Sequence, residues 1–147
     1  MTFQFAKIDP SAFAPTRKFP TDAGVDLYAL DSVIVNTGKI KIIRTGVKVK
    51  IPKGCVGLFW PKGRSDFLIC GGVIDESYQG EMVVKIFNSC DYQLVIKRGE
   101  PVAQLLIMPI ITEPVEELKQ EDLFPEKTER GETGGIHVPK GMYPDLI

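Results

Sequence analysis

Three observations predict an all-β domain, a sandwich or barrel. The β-branched apolar runs are short, and Gly, Pro and Asp turns separate them at near-regular spacing. Residues 47–51, Val-Lys-Val-Lys-Ile, alternate strictly, so one face of that strand is buried and the other wet. Helical periodicity is almost absent.

Taken in order, residues 2–8 read as a first strand, and residues 10–20 as a loop punctuated by proline. Residues 27–35 read as strand material with a bend. Residues 40–43 and 47–51 are strands, followed by a Pro52-Lys53-Gly54 turn and a short strand over 56–60. Residues 72–88 read as a hairpin: Gly72-Val73-Ile74, a polar turn, then Val83-Val84-Lys85-Ile86-Phe87. Residues 92–96 and 102–111 complete the strands. One short helix is expected over 115–120. From Pro114 onward the chain is polar, with few strand formers, so the expected organisation is a β core over 1–113 and a tail over 114–147 that reads by itself as a disordered end.

At 147 residues, 44% of them hydrophobic, the chain suits one domain with a real core. The formal net charge of −1, from 18 basic and 19 acidic residues, gives no basic stripe, so no general nucleic-acid surface is expected. Basic residues at Lys62, Arg64, Arg98, Arg130 and Lys140 fit a local anion site and fit dispersed surface charge equally well. Cys55, Cys70 and Cys90 show no Cys-x-x-Cys spacing, and the odd count without a secretion signal favours reduced thiols in a cytoplasmic compartment, or inside a host cell if the source is viral. With His137 as the single histidine, a zinc site is not expected. No apolar stretch approaches the ~20 residues that span a bilayer, so no membrane partner is expected.

The richest segment is Gly72-Val73-Ile74-Asp75-Glu76-Ser77-Tyr78-Gln79-Gly80-Glu81. It sets one carboxylate and one aromatic ring three residues apart, where the carboxylate can activate water and the ring can pack on a sugar. Taken alone, Asp75 fits a turn aspartate capping backbone amides better, and Tyr78 fits an ordinary cross-strand aromatic. Other segments change that balance. Together with Ala23-Gly24-Val25-Asp26-Leu27-Tyr28-Ala29, Gly63-Arg64-Ser65, Arg98-Gly99-Glu100-Pro101-Val102-Ala103-Gln104-Leu105 and the glycine-rich 130–141 stretch, it resembles, in order, the five motifs of the trimeric dUTP diphosphatases (dUTPases).

The resemblance implies a distorted jelly-roll of the dUTPase-like β-clip kind, assembled as a homotrimer, whose C-terminal arm closes an active site between other subunits. It implies hydrolysis of dUTP to dUMP and pyrophosphate, which limits uracil in DNA and supplies dUMP. Asp75 matches the general base and contacts the sugar 3′-hydroxyl. Tyr78 matches the tyrosine under deoxyribose that leaves no room for a 2′-hydroxyl. An unpaired buried hydroxyl costs about 1–3 kcal/mol, or roughly tenfold to hundredfold in selectivity. The backbone along residues 72–84, including Gly72, Val73, Ile74 and Met82, would read uracil. Arg64 with Ser65 makes a phosphate clamp, a guanidinium fork beside a hydroxyl. Gln104 would donate near the α- or β-phosphate; by itself it reads as a polar residue at a strand edge. Asp26 would act through water on a Mg²⁺ ion carried by the triphosphate; by itself it reads as a strand-start turn residue.

Three departures from the family pattern stand out. Only residues 66–71 separate Ser65 from Gly72, a shorter connection than usual, and Asp66 replaces a small residue. Gln79 stands where many relatives carry arginine. The fifth motif reads Arg130-Gly131-Glu132-Thr133-Gly134-Gly135-Ile136-His137-Val138-Pro139-Lys140-Gly141, with one extra residue before the glycine pair. Ile136 or His137 would cover the base there, and Arg130 and Lys140 would hold terminal phosphates. Two alternatives remain at this stage. A dUTP-binding regulatory protein with weakened turnover fits the altered fifth motif. A dCTP deaminase would need a glutamate three residues before Asn88, where this chain has Lys85.

Overall fold

The computed structural model describes residues 2–63 and 66–127. The chain divides into two units, Met1–Thr112 and Glu113–Ile147. Among its described residues the first contains eleven strands: β1 Gln4–Lys7, β2 Val25–Tyr28, β3 Val33–Val35, β4 Ile40–Arg44, β5 Val47–Lys50, β6 Cys55–Trp60, β7 Leu68–Ile69, β8 Val73–Ile74, β9 Val83–Phe87, β10 Leu94–Ile96 and β11 Pro101–Pro109.

Alternation explains most of the burial. In β5, Val47 and Val49 are buried while Lys48 and Lys50 are exposed. Strand β9 does the same with Val84 and Ile86 inside and Lys85 outside. The rule fails where β11 shifts register between Pro101 and Ala103, so that the adjacent Val102 and Ala103 are both fully buried.

All strand pairs are antiparallel, in four sheets ordered β2-β11-β6-β8, β4-β9-β7, β1-β5 and β10-β3. Their inner faces share one core, in which Leu27, Val35, Ile43, Val47, Met82, Ile86 and Leu105 are among the buried side chains. This is the all-β, jelly-roll-like architecture expected.

Two local expectations are corrected. Residues 27–35 are not one bent strand: β2 joins β11 and β3 joins β10, in separate sheets. The segment 72–88 is not a paired hairpin. Strand β8 bonds to β6, whereas β9 lies between β4 and β7. Eight residues separate β8 from β9, more than a tight two- to five-residue hairpin loop uses, and side chains tie that segment to other turns.

The second unit, over its described residues 113–127, is exposed. Its single helical turn, α1 Gln120–Leu123, starts where the expected helix over 115–120 was to end. Pro114 and the β-branched Val115 discourage an earlier start, and the acidic Glu121 and Asp122 favour the N-terminal turn. Among the described residues, no helix is long and apolar enough to cross a membrane.

Candidate active site

The first, fourth and second motif regions meet on the four-stranded sheet. Strand β11 sets Gln104 opposite Asp26 on β2 and opposite Trp60 on β6. Asp26 is fixed further by its backbone, whose N–H donates to the Thr16 carbonyl at 2.7 Å and whose carbonyl accepts from the Thr16 N–H at 3.2 Å. Gly24 has no Cβ, and the Gln104 side chain occupies the space one would fill. From there the Gln104 amide Nε2 donates to the Pro61 carbonyl at 3.0 Å. The next residue, Lys62, places its ammonium 2.5 Å from Asp26 Oδ1, and both side chains are partly buried. A carboxylate, an ammonium and a carboxamide therefore share one patch at the end of β6, next to Gly63. Arg64 and Ser65, expected to clamp phosphate, lie outside the described residues, as do Arg130, Ile136, His137 and Lys140.

The third motif makes a separate cluster on the connection from β8 to β9. Glu76 accepts the Gly54 N–H at 2.9 Å. Glu81 accepts the Gly46 N–H at 2.8 Å through Oε1 and the Arg44 Nε at 3.2 Å through Oε2. Gly46 adopts φ +69°, a left-handed conformation that a side chain would strain. Within the turn, the Asp75 carbonyl accepts the Tyr78 N–H at 3.0 Å, and the Tyr78 hydroxyl donates to the Glu81 carbonyl at 2.9 Å. The Tyr78 ring folds over Gly80, where a Cβ would collide with it. Asp75 is exposed, and its carboxylate accepts no hydrogen bond among the described residues. The turn is thus pinned at both ends while its carboxylate stays available.

Gly72, Val73 and Ile74 approach this turn along β8. The Gly72 carbonyl accepts the Phe59 N–H at 3.0 Å, and the Phe59 ring lies where a Gly72 Cβ would go. Met82 lies inward. It is fully buried, its N–H donates to Val47 at 2.8 Å, and its carbonyl accepts from the Thr45 hydroxyl at 2.5 Å. An open groove of about 610 Å³ adjoins the turn, lined by residues that include Phe5, Lys48, Lys50, Lys53, Glu76 and Tyr78. Asp75, Asp26 and Gln104 do not line it.

These two clusters are well separated within one chain. Pairing of Ile74 with Gly57 carries Asp75 toward the Val56 row, whereas Gln104 sits opposite Trp60. Four residues along β6 amount to about 13 Å, and two strand spacings across it to about 10 Å. The Gln104 side chain moreover points to Pro61, away from Asp75.

The family model for dUTPase matches residues 11–137. The chain belongs to the dUTPase family. A deoxyuridine 5′-triphosphate nucleotidohydrolase of Mycobacterium marinum is 36% identical over 148 residues, covering 95% of both chains. One from Mycobacterium bovis is 35% identical and covers 99% of this chain and 98% of its own. Among solved structures, a variant of the Staphylococcus bacteriophage 80alpha dUTPase with dUpNHpp aligns with a TM-score of 0.80 at 28% identity, covering 89% of this chain and 94% of that one. A dUTPase variant from phage phi11 of S. aureus, described as coordinating a structural Mg(II) ion, aligns at 0.77 and 25%, covering 82% and 98%.

The dUTPase frame sorts the remaining polar residues. Arg98 is engaged in holding loops. Its guanidinium donates to the carbonyls of Leu30 and Ser11, each at 2.6 Å, and stacks 4.8 Å above the Phe13 ring. Fully buried Asn88 donates to the Val35 and Tyr92 carbonyls and accepts the Cys90 N–H, all at 2.9 Å. Lys85, where a deaminase needs its glutamate, is exposed on β9 opposite Ile42. The Tyr92 hydroxyl pKa is raised first by a hydrogen bond with Cys90 and next by the Asp66 charge. Lys62, one of the basic residues that fit an anion site in the sequence, has a partner the sequence did not reveal, because Asp26 lies 36 positions away.

Among the described residues, no three His, Cys, Asp or Glu side chains gather as a metal site. The single carboxylate of Asp26 fits only an ion whose other ligands are phosphate oxygens and water.

Proposed function

We propose that this chain hydrolyses dUTP to dUMP and pyrophosphate, in homotrimers whose active sites are shared between subunits. The observation that carries the reaction is Asp75: an exposed carboxylate on a turn pinned by Glu76 and Glu81, in a chain that matches the dUTPase family almost throughout. Asp75 takes a proton from a water that attacks the α-phosphorus. The bond from that phosphorus to the α,β-bridging oxygen breaks, and pyrophosphate leaves with the electron pair. Tyr78 supports the deoxyribose and excludes a 2′-hydroxyl. The backbone of residues 72–74 reads uracil, while Met82 acts from the core by holding the strand in place. Gln104, Arg64 and Ser65 hold the phosphates, joined by Arg130 and Lys140, with Ile136 or His137 over the base. Asp26 would hold, through water, a Mg²⁺ ion carried on the triphosphate, and that ion would supply charge neutralisation.

Two observations support sharing between copies. Asp75 and Gln104 both have to reach groups around one α-phosphorus, yet in one chain they stand apart and Gln104 turns away. In addition, Leu68, Phe87 and Ile40 form one row across the β4-β9-β7 sheet, with Leu68 57% and Ile40 58% exposed, an apolar surface suited to a second copy.

The test is pyrophosphate release from dUTP with Mg²⁺, beside dCTP, dTTP and UTP and beside Asp75→Asn. Release selective for dUTP and reduced by at least about 10²-fold in the variant is expected. Equal release from the four nucleotides, or an unchanged variant, overturns the assignment.

A further inference from the structure

We propose that Lys62 is a tethered counter-cation for the triphosphate: its ammonium rests on Asp26 and passes to a β- or γ-phosphate oxygen when the nucleotide enters. The proposal rests on the dUTP reading above and adds to it a residue that supplies positive charge without a metal ion.

In that reading the Asp26 carboxylate stands at a phosphate site, where an uncompensated negative charge repels the substrate. Its backbone is held in place, because both backbone groups of Asp26 bond to Thr16 and β11 flanks the other side. Lys62 cancels that charge across 2.5 Å. The loop carrying Lys62 is fixed independently, by the Gln104 amide on the Pro61 carbonyl at 3.0 Å. Lys62 therefore does not need its bond to Asp26 in order to stay in place. Its side chain is 30% exposed, against 18% for Asp26, so the lysine is the more exposed partner.

A lysine is suited to the exchange. Its ammonium is a point charge on a flexible four-carbon stem, with three donors and no fixed fork geometry. A carboxylate offers one negative charge and a triphosphate several, so the ammonium gains by changing partner. The exchange also frees Asp26 for water on an incoming ion. Two consequences follow. The chain should bind the triphosphate appreciably without a divalent ion. Loss of Lys62 should weaken binding most when no ion is present to replace its charge.

The experiment is calorimetric titration of the full chain with the non-hydrolysable α,β-imido analogue of dUTP and, separately, with dUMP. Each is run in EDTA and in Mg²⁺, for the wild type, Lys62→Met and Lys62→Arg, with thermal melts of all three. In EDTA, Lys62→Met is expected to weaken the triphosphate analogue by about 10- to 100-fold, the range for one charge-assisted hydrogen bond. The dUMP affinity stays the same, Mg²⁺ narrows the deficit, and Lys62→Arg recovers most of it. Unchanged analogue binding by Lys62→Met in EDTA overturns the proposal. So does equal weakening of dUMP and the analogue, which would make Lys62 a purely structural tie. A wild type that binds neither nucleotide overturns the dUTP reading itself, an outcome separate from either of these.

Discussion

Gly72 and Gly80 both lack room for a methyl group, but the obstacle differs. At Gly72 it is the Phe59 ring, held in the core with 6% exposure. Gly72→Ala should therefore destabilise the fold by about 1–3 kcal/mol, the usual range for overpacking, as read by denaturant midpoint. At Gly80 the obstacle is the far end of Tyr78, which is 41% exposed and free to swing out. Gly80→Ala should melt within a few degrees of wild type yet lose discrimination between dUTP and UTP by about tenfold, because the displaced ring no longer closes the space at the 2′ position. A near-wild-type melt with selectivity intact would mean that Tyr78 has no part in sugar choice. At this scale the sequence was only partly legible. The types and spacing of Asp75 and Tyr78 marked the turn. The partners of Asp26 and Arg98 could not be read, because each comes from tens of residues away and neither sits in a periodic pattern.

The connection from β8 to β9 behaves as one element without being a helix or strand. Its strongest tie is Glu81, which accepts a backbone N–H from Gly46 and the guanidinium of Arg44. The two bonds differ in weight. Arg44 is 53% exposed, so its ion pair contributes about 0–1 kcal/mol. Removing the acceptor from the part-buried Gly46 N–H costs about 1–3 kcal/mol. Glu81→Ala should thus lower stability clearly more than Arg44→Ala in thermal melts, and should also lower kcat/KM, because the Glu81 side chain, tied to Gly46, positions the backbone carbonyl that accepts from the Tyr78 hydroxyl. Equal effects of the two substitutions would show that the exposed ion pair, not the backbone bond, holds the turn. Alternation in residues 47–51 and 83–87 revealed the strands reliably, because burial of one face is a local property of sequence. Strand partners were not legible in the same way. Val73-Ile74 and residues 83–87 look like two arms of a hairpin, yet each finds its neighbour elsewhere, through contacts that no local pattern encodes.

At the scale of the whole molecule, the question is whether Asp75 and Gln104 of one chain ever serve the same substrate. Their separation along and across β6 argues that they do not. Mixing variants decides the matter. Asp75→Asn and Gln104→Ala, each nearly inactive alone, are unfolded together in equal amounts and refolded. If every site takes Gln104 from one subunit and Asp75 from its neighbour, a site is intact when both happen to be unaltered. Each condition is met half the time, so about a quarter of wild-type activity returns, for a closed ring of any size. A site built within one chain gives no recovery, because every chain carries one defect. The same experiment ties assembly to the exposed Leu68-Phe87-Ile40 row. Replacing Ile40 by Lys should place a charge in the middle of the buried contact and shift the protein to monomers in sedimentation. Since Ile40 stands at the opposite end of β4 from Arg44, and the strands leading to Asp75 and carrying Gln104 belong to another sheet, loss of activity together with the oligomer would follow only if the site itself is divided between subunits. An active monomer would return catalysis to a single chain, with Gln104 turning toward Asp75 only when substrate is bound.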